Sequence, residues 1–292
     1  MTLEQLRIFI AVAEKQHVTQ AARELNLTQS ATSAAIAALE ARYGIKLFDR
    51  VGRGIVLTQT GRDFLDEARG VVARAKAAAQ VLNDLAGLKR GSLTLAASQT
   101  VGNYWLPPRI QTFQAAHPGI DLQVTIANTE QVAQAVHRGD ADLGFVEGDV
   151  DDPVLSARKI DGDQLIVVVG ISHPWVNQSR IAPKSLPATG WVLREKGSGT
   201  RAMFEAAIRK FGVNPSDLKV ALELPSNEAI RAAVEAGDCA TAISNLVVEH
   251  SLAAGTLHRV RIELPKRSFF VLRHKERYQS HAEQALLKAF RI

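Results

Sequence analysis

The feature that most constrains this chain runs from Val18 to Arg50, VTQAARELNLTQSATSAAIAALEARYGIKLFDR. Ala21, Ala22 and Leu25 lie on one helical face, and Asn26-Leu27 make a short turn. Thr28 then heads a second pattern carrying Ala31, Ile36, Leu39 and Tyr43. That arrangement predicts a helix-turn-helix. Thr28 suits the N-cap, because its hydroxyl can accept from a free backbone N–H one turn in. Gln29, Ser30, Thr32 and Ser33 follow it, so this helix start is polar and can approach DNA closely.

Alanine-rich amphipathic helices also form αα-hairpins in ordinary bundles. The neighbouring segments favour the more specific reading. Leu3, Leu6, Phe9, Ile10 and Ala13 supply a third apolar helical face, while Lys46, Arg50 and Arg53 surround Gly52 and Gly54 downstream. The charge is also uneven: residues 1–90 hold 13 basic against 9 acidic residues, and the rest of the chain 22 against 21. A basic excess concentrated on the segment with the motif points to nucleic acid.

LEQLRIFIAVAE, TQAARELNLTQSATSAAIAALE, YGIKLFDR and LTQTG together resemble the N-terminal domain of the LysR-type transcriptional regulators, without a gap over the first sixty or so residues. The resemblance implies that the second helix of the pair enters the major groove and that the turn after LFDR forms a wing. Carried over, Thr28, Gln29, Ser30, Thr32 and Ser33 make up the base-reading helix start, and Lys46, Arg50 and Arg53 touch phosphate. One departure stands out. Ala34 and Ala35 replace the Arg or Gln that many members carry there, so direct bidentate readout of G or A is weaker and thymine-methyl contacts or shape readout have more to do.

After the expected wing, Thr58 to Leu88 reads as one long helix without Pro, spanning roughly 46 Å at about 1.5 Å per residue. Leu65, Ala68, Val72, Ala75, Ala79, Leu82 and Ala86 recur at alternating steps of three and four, the seam of two helices packed along each other, which predicts a dimer. From Ser92 onward short β runs alternate with helices: LTLAA, a helix around Trp105 to Ala116, DLQVTI, a helix near Glu130 to Arg138, DLGFV, then LIVVV, WVL, KVALEL and ATAIS with helices between. That alternation implies a parallel sheet covered on its faces.

The order of these elements resembles the effector domain of the same family, a two-lobed α/β fold of the type II periplasmic-binding-protein kind. The fold class expected is therefore α+β multidomain. A winged helix-turn-helix occupies 1–58, a dimerisation helix 59–90 and an effector-binding domain 91–292. The resemblance further implies lobe I at 92–161 plus 267–292 and lobe II at 162–266, with crossovers near Asp161-Gly162 and Pro265-Lys266. NTEQ, ADLGFVEG and REKGSGTR are similar to the subgroup that controls sulfur-assimilation and carbon-fixation operons. Family members usually assemble as tetramers and act with RNA polymerase, so a homodimer or homotetramer on double-stranded promoter DNA is expected.

Ligands of open α/β sheets bind at the carboxyl ends of strands. The loops there carry Ser98, Gln99 and Thr100 after LTLAA, Asn128 and Thr129 after DLQVTI, and Gly197, Ser198, Gly199, Thr200 and Arg201 after WVL. Backbone N–H groups, hydroxyls and helix dipoles converging there would hold a small anion or an anionic metabolite. Helix capping alone accounts equally well for any single loop. Glu147, after DLGFV, would repel an anion unless it binds a hydroxyl or amine of the ligand or pairs with Arg201.

Other function classes find little support. The eight histidines show no HExxH or His-x-His spacing, no GxSxG elbow occurs, and SQTVGN after the first strand lacks a dinucleotide fingerprint. Asp149, Asp151 and Asp152 around Pro153 read as solvated, and the single cysteine, Cys239, as a small core residue that rules out an internal disulfide. No cofactor or metal is expected. Charged residues within the first helix argue against a signal peptide, and no apolar run reaches the ~18 residues of a membrane span, so a cytoplasmic protein is expected. A periplasmic solute-binding protein and an α/β metabolic enzyme remain the alternatives, and neither explains Val18 to Arg50.

Overall fold

The computed structural model describes residues 1–52, 54–85, 91–178 and 180–292, with only the backbone of Asn83. Arg53 and the end of the expected long helix, including Ala86 and Leu88, lie outside the described residues. The chain divides into two compact units, the first N-terminal to residue 88 and the second holding nearly all the rest.

In the first unit, α1 (Leu3–Lys15), α2 (Val18–Glu24) and α3 (Gln29–Tyr43) precede a hairpin of β1 (Phe48–Val51) and β2 (Gly54–Leu57), and α4 (Gln59–Leu85) follows. Thr2 and Gln5 form a reciprocal capping box at α1, and the Thr28 hydroxyl accepts from Ala31 N at the start of α3. Leu6, Phe9, Val12, Ala21, Ile36, Leu39, Leu47 and Ala68 share one core. Glu40 fastens the far end of α3 to the hairpin. Its carboxylate accepts from Leu47 N at 2.7 Å, Phe48 N at 3.2 Å and Lys46 Nζ at 3.1 Å. Burial opposes its charge, but those donors outweigh burial and hold the carboxyl below its ordinary range.

Only the first half of the seam expected along α4 is taken up by its own domain. Ala68 is buried in the unit's own core, and Leu65 and Val72 pack against that core. The large apolar residues left open are Leu82, from the expected seam, with Val71 and Leu85 beside it, at 68%, 46% and 78% exposure. With Ala75 and Ala78 between them, they recur at steps of four, three, four and three. Helix α1 thus takes the first half of the expected stripe, while Ala75, Ala79 and Leu82 of its second half stay outside that core.

The second unit is built on one mixed sheet in the order β4-β3-β5-β11-β6-β9-β7-β8, with β10 paired to β6. Two parallel sets lie at its ends. One comprises β3 (Gly91–Ser98), β4 (Ile120–Ala127) and β5 (Leu143–Glu147); the other comprises β7 (Gly190–Arg194), β8 (Lys219–Leu224) and β9 (Ala240–Ser244). Two long strands join them, β6 (Leu155–Gly170) and β11 (Lys266–His274), paired antiparallel, and β10 (Leu257–Val260) lies beside β6. Strand β6 pairs with β11 up to Gln164 and with β9 from Leu165, so the hand-over between lobes comes slightly after Asp161-Gly162. The alternation of strands and helices revealed the parallel sets but gave no sign of this antiparallel spine.

Helices cover both faces of each lobe: α5 (Leu106–Ala116), α6 (Thr129–Arg138) and α10 (His281–Ala289) in the first, α7 (Gly199–Lys210), α8 (Asn227–Ala236) and α9 (Asn245–Ala253) in the second. Strand burial follows from that arrangement. Leu93, Leu95 and Ala97 face one core and Ala96 the opposite one, and Leu165 and Val167 alternate likewise with Ile166 and Val168. A wide π-turn, Val101–Trp105, precedes α5, whose regular turns begin only with Pro107 and Pro108 in the first turn.

Candidate functional site

Two sites follow from these elements. On α3, Gln29, Ser30 and Ser33 are exposed, together with Ala31, Ala34, Ala37, Ala38 and Ala41, so the open face is polar at its start and smooth beyond it. Thr32 corrects the sequence reading. It is fully buried, and its hydroxyl donates to Thr28 O at 3.0 Å, so it cannot reach a base edge. Thr28 is committed to capping and also lies 3.1 Å from the Ser30 hydroxyl. Arg50 is exposed on β1, whereas Lys46 forms the ion pair with Glu40 while keeping 76% of its side chain in solvent.

The second site lies where the lobes meet, at the carboxyl ends of the strands. Ser98, Thr100, Asn128, Thr129, Ser198 and Thr200 are all buried there, and Glu147 is 1% exposed. Ser98 Oγ donates to Glu147, Thr200 Oγ1 donates to Glu147 Oε1 at 3.2 Å, and Thr129 Oγ1 donates to Glu147 O at 3.3 Å. Gly199 makes this approach possible, since a Cβ there would collide with the Glu147 carbonyl and the Thr129 hydroxyl.

Of the alternatives open to Glu147, pairing with Arg201 is not the one the structure makes. Arg201 points away, with Nε on Glu205 at 2.9 Å and Nη1 on Glu223 and on Arg194 O. Glu147 instead has Arg267, whose Nη1 lies 3.7 Å away. The Arg267 side chain is wholly buried. It grips Asp163 through Nε and Nη2, and it donates to Thr200 Oγ1 at 2.8 Å and Thr100 Oγ1 at 3.1 Å. Asn227 Nδ2 also reaches Thr100 Oγ1, at 3.2 Å, while Arg194 Nη1 donates to Asn227 Oδ1 at 2.8 Å.

Several of the expected residues hold the loops rather than an open cavity. Asn128 and Gln131 cap each other, and Ser198 caps α7. Others bridge the lobes. Glu130 N donates to Gly197 O at 3.2 Å, and Gln99 donates to Pro225 O and accepts from Asn227 N. Asn103 and Tyr104 from the π-turn both donate to Glu228 on α8, at 3.3 and 3.0 Å. Burial first, and the Glu228 carboxylate after it, push the Tyr104 phenol up to about 12.

Arg267, Asp163, Arg194, Asn227 and Tyr104 were not singled out from the sequence. For three of them a signal existed. Arg267 shares the inward parity of Phe269 and Val271, Asp163 that of Leu165, and Arg194 that of Val192, and a charge at an inward position of a buried strand requires a partner. Elsewhere, Asp149 and Asp151 are exposed as expected, whereas Asp152 pairs with His137 Nδ1 at 2.7 Å. Cys239 is half-buried at the edge of a lobe II core, and burial pushes its thiol up.

The bacterial regulatory helix-turn-helix protein family, lysR type, matches residues 3–62, and the LysR substrate binding domain matches residues 86–291. The uncharacterized HTH-type transcriptional regulator YeiE of Escherichia coli (strain K12) is 32% identical over 289 residues, which cover 98% of this chain and 96% of that protein. A RuBisCO operon transcriptional regulator of Allochromatium vinosum is 32% identical over 272 residues, covering 93% and 85%. Among solved structures, the Synechocystis PCC6803 CcmR regulatory domain in complex with 2-PG is 28% identical, with a TM-score of 0.63, over 69% of this chain and 96% of that one. A helix-turn-helix with an exposed polar helix start, a two-lobed α/β unit and matches over nearly the whole chain agree: this protein belongs to the LysR family of transcriptional regulators.

Proposed function

We propose that this regulator binds a roughly palindromic promoter site as a homodimer or homotetramer, in the cytoplasm and together with RNA polymerase, and that a small anionic metabolite held between lobes I and II sets its activity. Residues 1–58 read the DNA, 59–90 join two copies, and 91–292 sense the effector. Gln29, Ser30 and Ser33 face the bases, and Lys46, Arg50 and Arg53 the phosphates. The observation that carries the sensing half is the buried ring of donors at the strand ends, where Ser98, Thr100, Thr200 and the guanidinium of Arg267 converge across the lobe boundary. Buried donors and charges are costly unless satisfied, and a ring of this kind is suited to an oxyanion once the lobes part. That the CcmR regulatory domain was solved in complex with 2-PG supports a small ligand for the matching domain here.

Thermal unfolding of the full chain with phosphate, sulfate, thiosulfate, 2-PG and small phosphorylated or carboxylated acids tests the reading. At least one should raise the melting temperature. Replacing Ser98→Val together with Thr200→Val should abolish that rise; stabilisation that persists undiminished locates the ligand elsewhere.

A further inference from the structure

Glu147 is the part of the interlobe network that opposes an anion. It accepts from Ser98 and Thr200, the same two hydroxyls an anion between the lobes would use. Arg267 offsets only part of its charge, because that guanidinium grips Asp163 through two nitrogens and stands 3.7 Å from Glu147. Glu147, Asp163 and Arg267 therefore set two carboxylates against one cation. Arg194 adds nothing to the balance, being paired with Glu195 at 2.8 and 2.9 Å. A fully deprotonated oxyanion placed here would meet Glu147 acceptor to acceptor, and charge repulsion in a buried site is several times its value in water. A proton on the ligand reverses the sign of that contact. An O–H donated to a carboxylate forms a charge-assisted bond, roughly twice as strong as a neutral one.

Building on the reading of an anion site between the lobes, we propose that Glu147 is its specificity-determining residue and accepts a hydrogen bond from the effector. The site then takes oxyanions that keep a proton, or acids with a hydroxyl beside the anionic group, and rejects sulfate. An ionised carboxylate only accepts, whereas the Ser98 and Thr200 hydroxyls can rotate to donate to the ligand instead. The absence of a side chain at Gly199 lets the start of α7 close directly over Glu147, so the discriminating contact is shielded from water.

The test is calorimetric titration of the full chain with inorganic phosphate, which keeps a proton throughout the neutral range, and with sulfate, which keeps none. Phosphate should bind at least about tenfold more tightly than sulfate, the scale on which a site built for a ligand proton discriminates. Glu147→Gln, whose amide both donates and accepts, should bring the two affinities to within about threefold, and Glu147→Asp should retain the preference. Methyl phosphate gives a check that needs no variant. Its last proton leaves near pH 6, so its affinity should fall about tenfold between pH 5.5 and pH 8, far more than that of inorganic phosphate. Equal wild-type affinity for phosphate and sulfate, an unchanged ratio in Glu147→Gln, or a flat pH profile for methyl phosphate overturns the role of Glu147 and leaves the anion site standing. Binding of neither ion, or binding that survives the paired Ser98 and Thr200 replacements, removes the anion site and this proposal with it.

Discussion

At the scale of single residues, burial decides which polar side chains are available and which are structural. Thr32 and Ser33 are adjacent and chemically similar, yet the rotation of about 100° between neighbouring helical residues buries Thr32 against Thr28 O and leaves Ser33 in solvent. Burial also sets a titration in lobe I. The Glu283 carboxyl, at the start of α10, is pushed up to about 7 by desolvation, with Asp142 adding to the rise and Arg273, 2.8 Å away, opposing it. A carboxyl raised in the folded state keeps its proton where the unfolded chain has lost it, so its contribution is full below the unfolded value near 4.5 and is lost as the pH rises to about 7. Stability should therefore fall across that window by an amount on the order of 3 kcal/mol, since each tenfold change in proton affinity is worth about 1.4 kcal/mol. Denaturant unfolding of the wild type and of Glu283→Gln at several pH values checks this, since the variant should lack that part of the decline.

At the scale of elements, α4 shows how one helix serves two surfaces. Leu65, Ala68 and Val72 pack onto its own domain, so the stripe of Val71, Ala75, Ala78, Leu82 and Leu85 is the one open to a second copy. If that stripe joins two chains, Leu82→Glu brings two like charges together in a packed seam, and sedimentation should report monomers or a dimer weakened by several kcal/mol. The same change on a helix facing only solvent would leave both assembly and folding unaltered. Gly61 marks the opposite end of α4. A Cβ there would strike the Leu47 carbonyl and the Leu57 side chain, which is why the helix can lie directly over the wing.

At the scale of the whole molecule, a cationic reading head implies binding that is sensitive to salt. The logarithm of promoter affinity should fall linearly with the logarithm of salt concentration, by about 0.9 for each phosphate neutralised. Arg50→Ala should reduce that slope by about one and weaken binding to all sequences alike, whereas Ser33→Ala should alter sequence preference instead. Fluorescence anisotropy with two unrelated promoter fragments over a salt series distinguishes the two outcomes.

The sequence by itself determined the elements and the family. Periodicity, caps and turn residues act over a few positions, so α2, Thr28, α3 and the parallel strands were legible in Val18–Arg50 and in the β–α alternation. Local signals also found the loops where the lobes meet, from LTLAASQT and REKGSGTR. Only the tertiary structure decided what those loops hold. Arg267 and Asp163 are 104 positions apart and become partners through the antiparallel register of β6 and β11. No local pattern encodes such a pairing, because it depends on which strands become neighbours in the sheet. The same reason explains why the cation near Glu147 was not legible: Arg201 lies in the inferred loops, but the fold brings Arg267 from the far end of the chain and turns Arg201 toward Glu205 and Glu223.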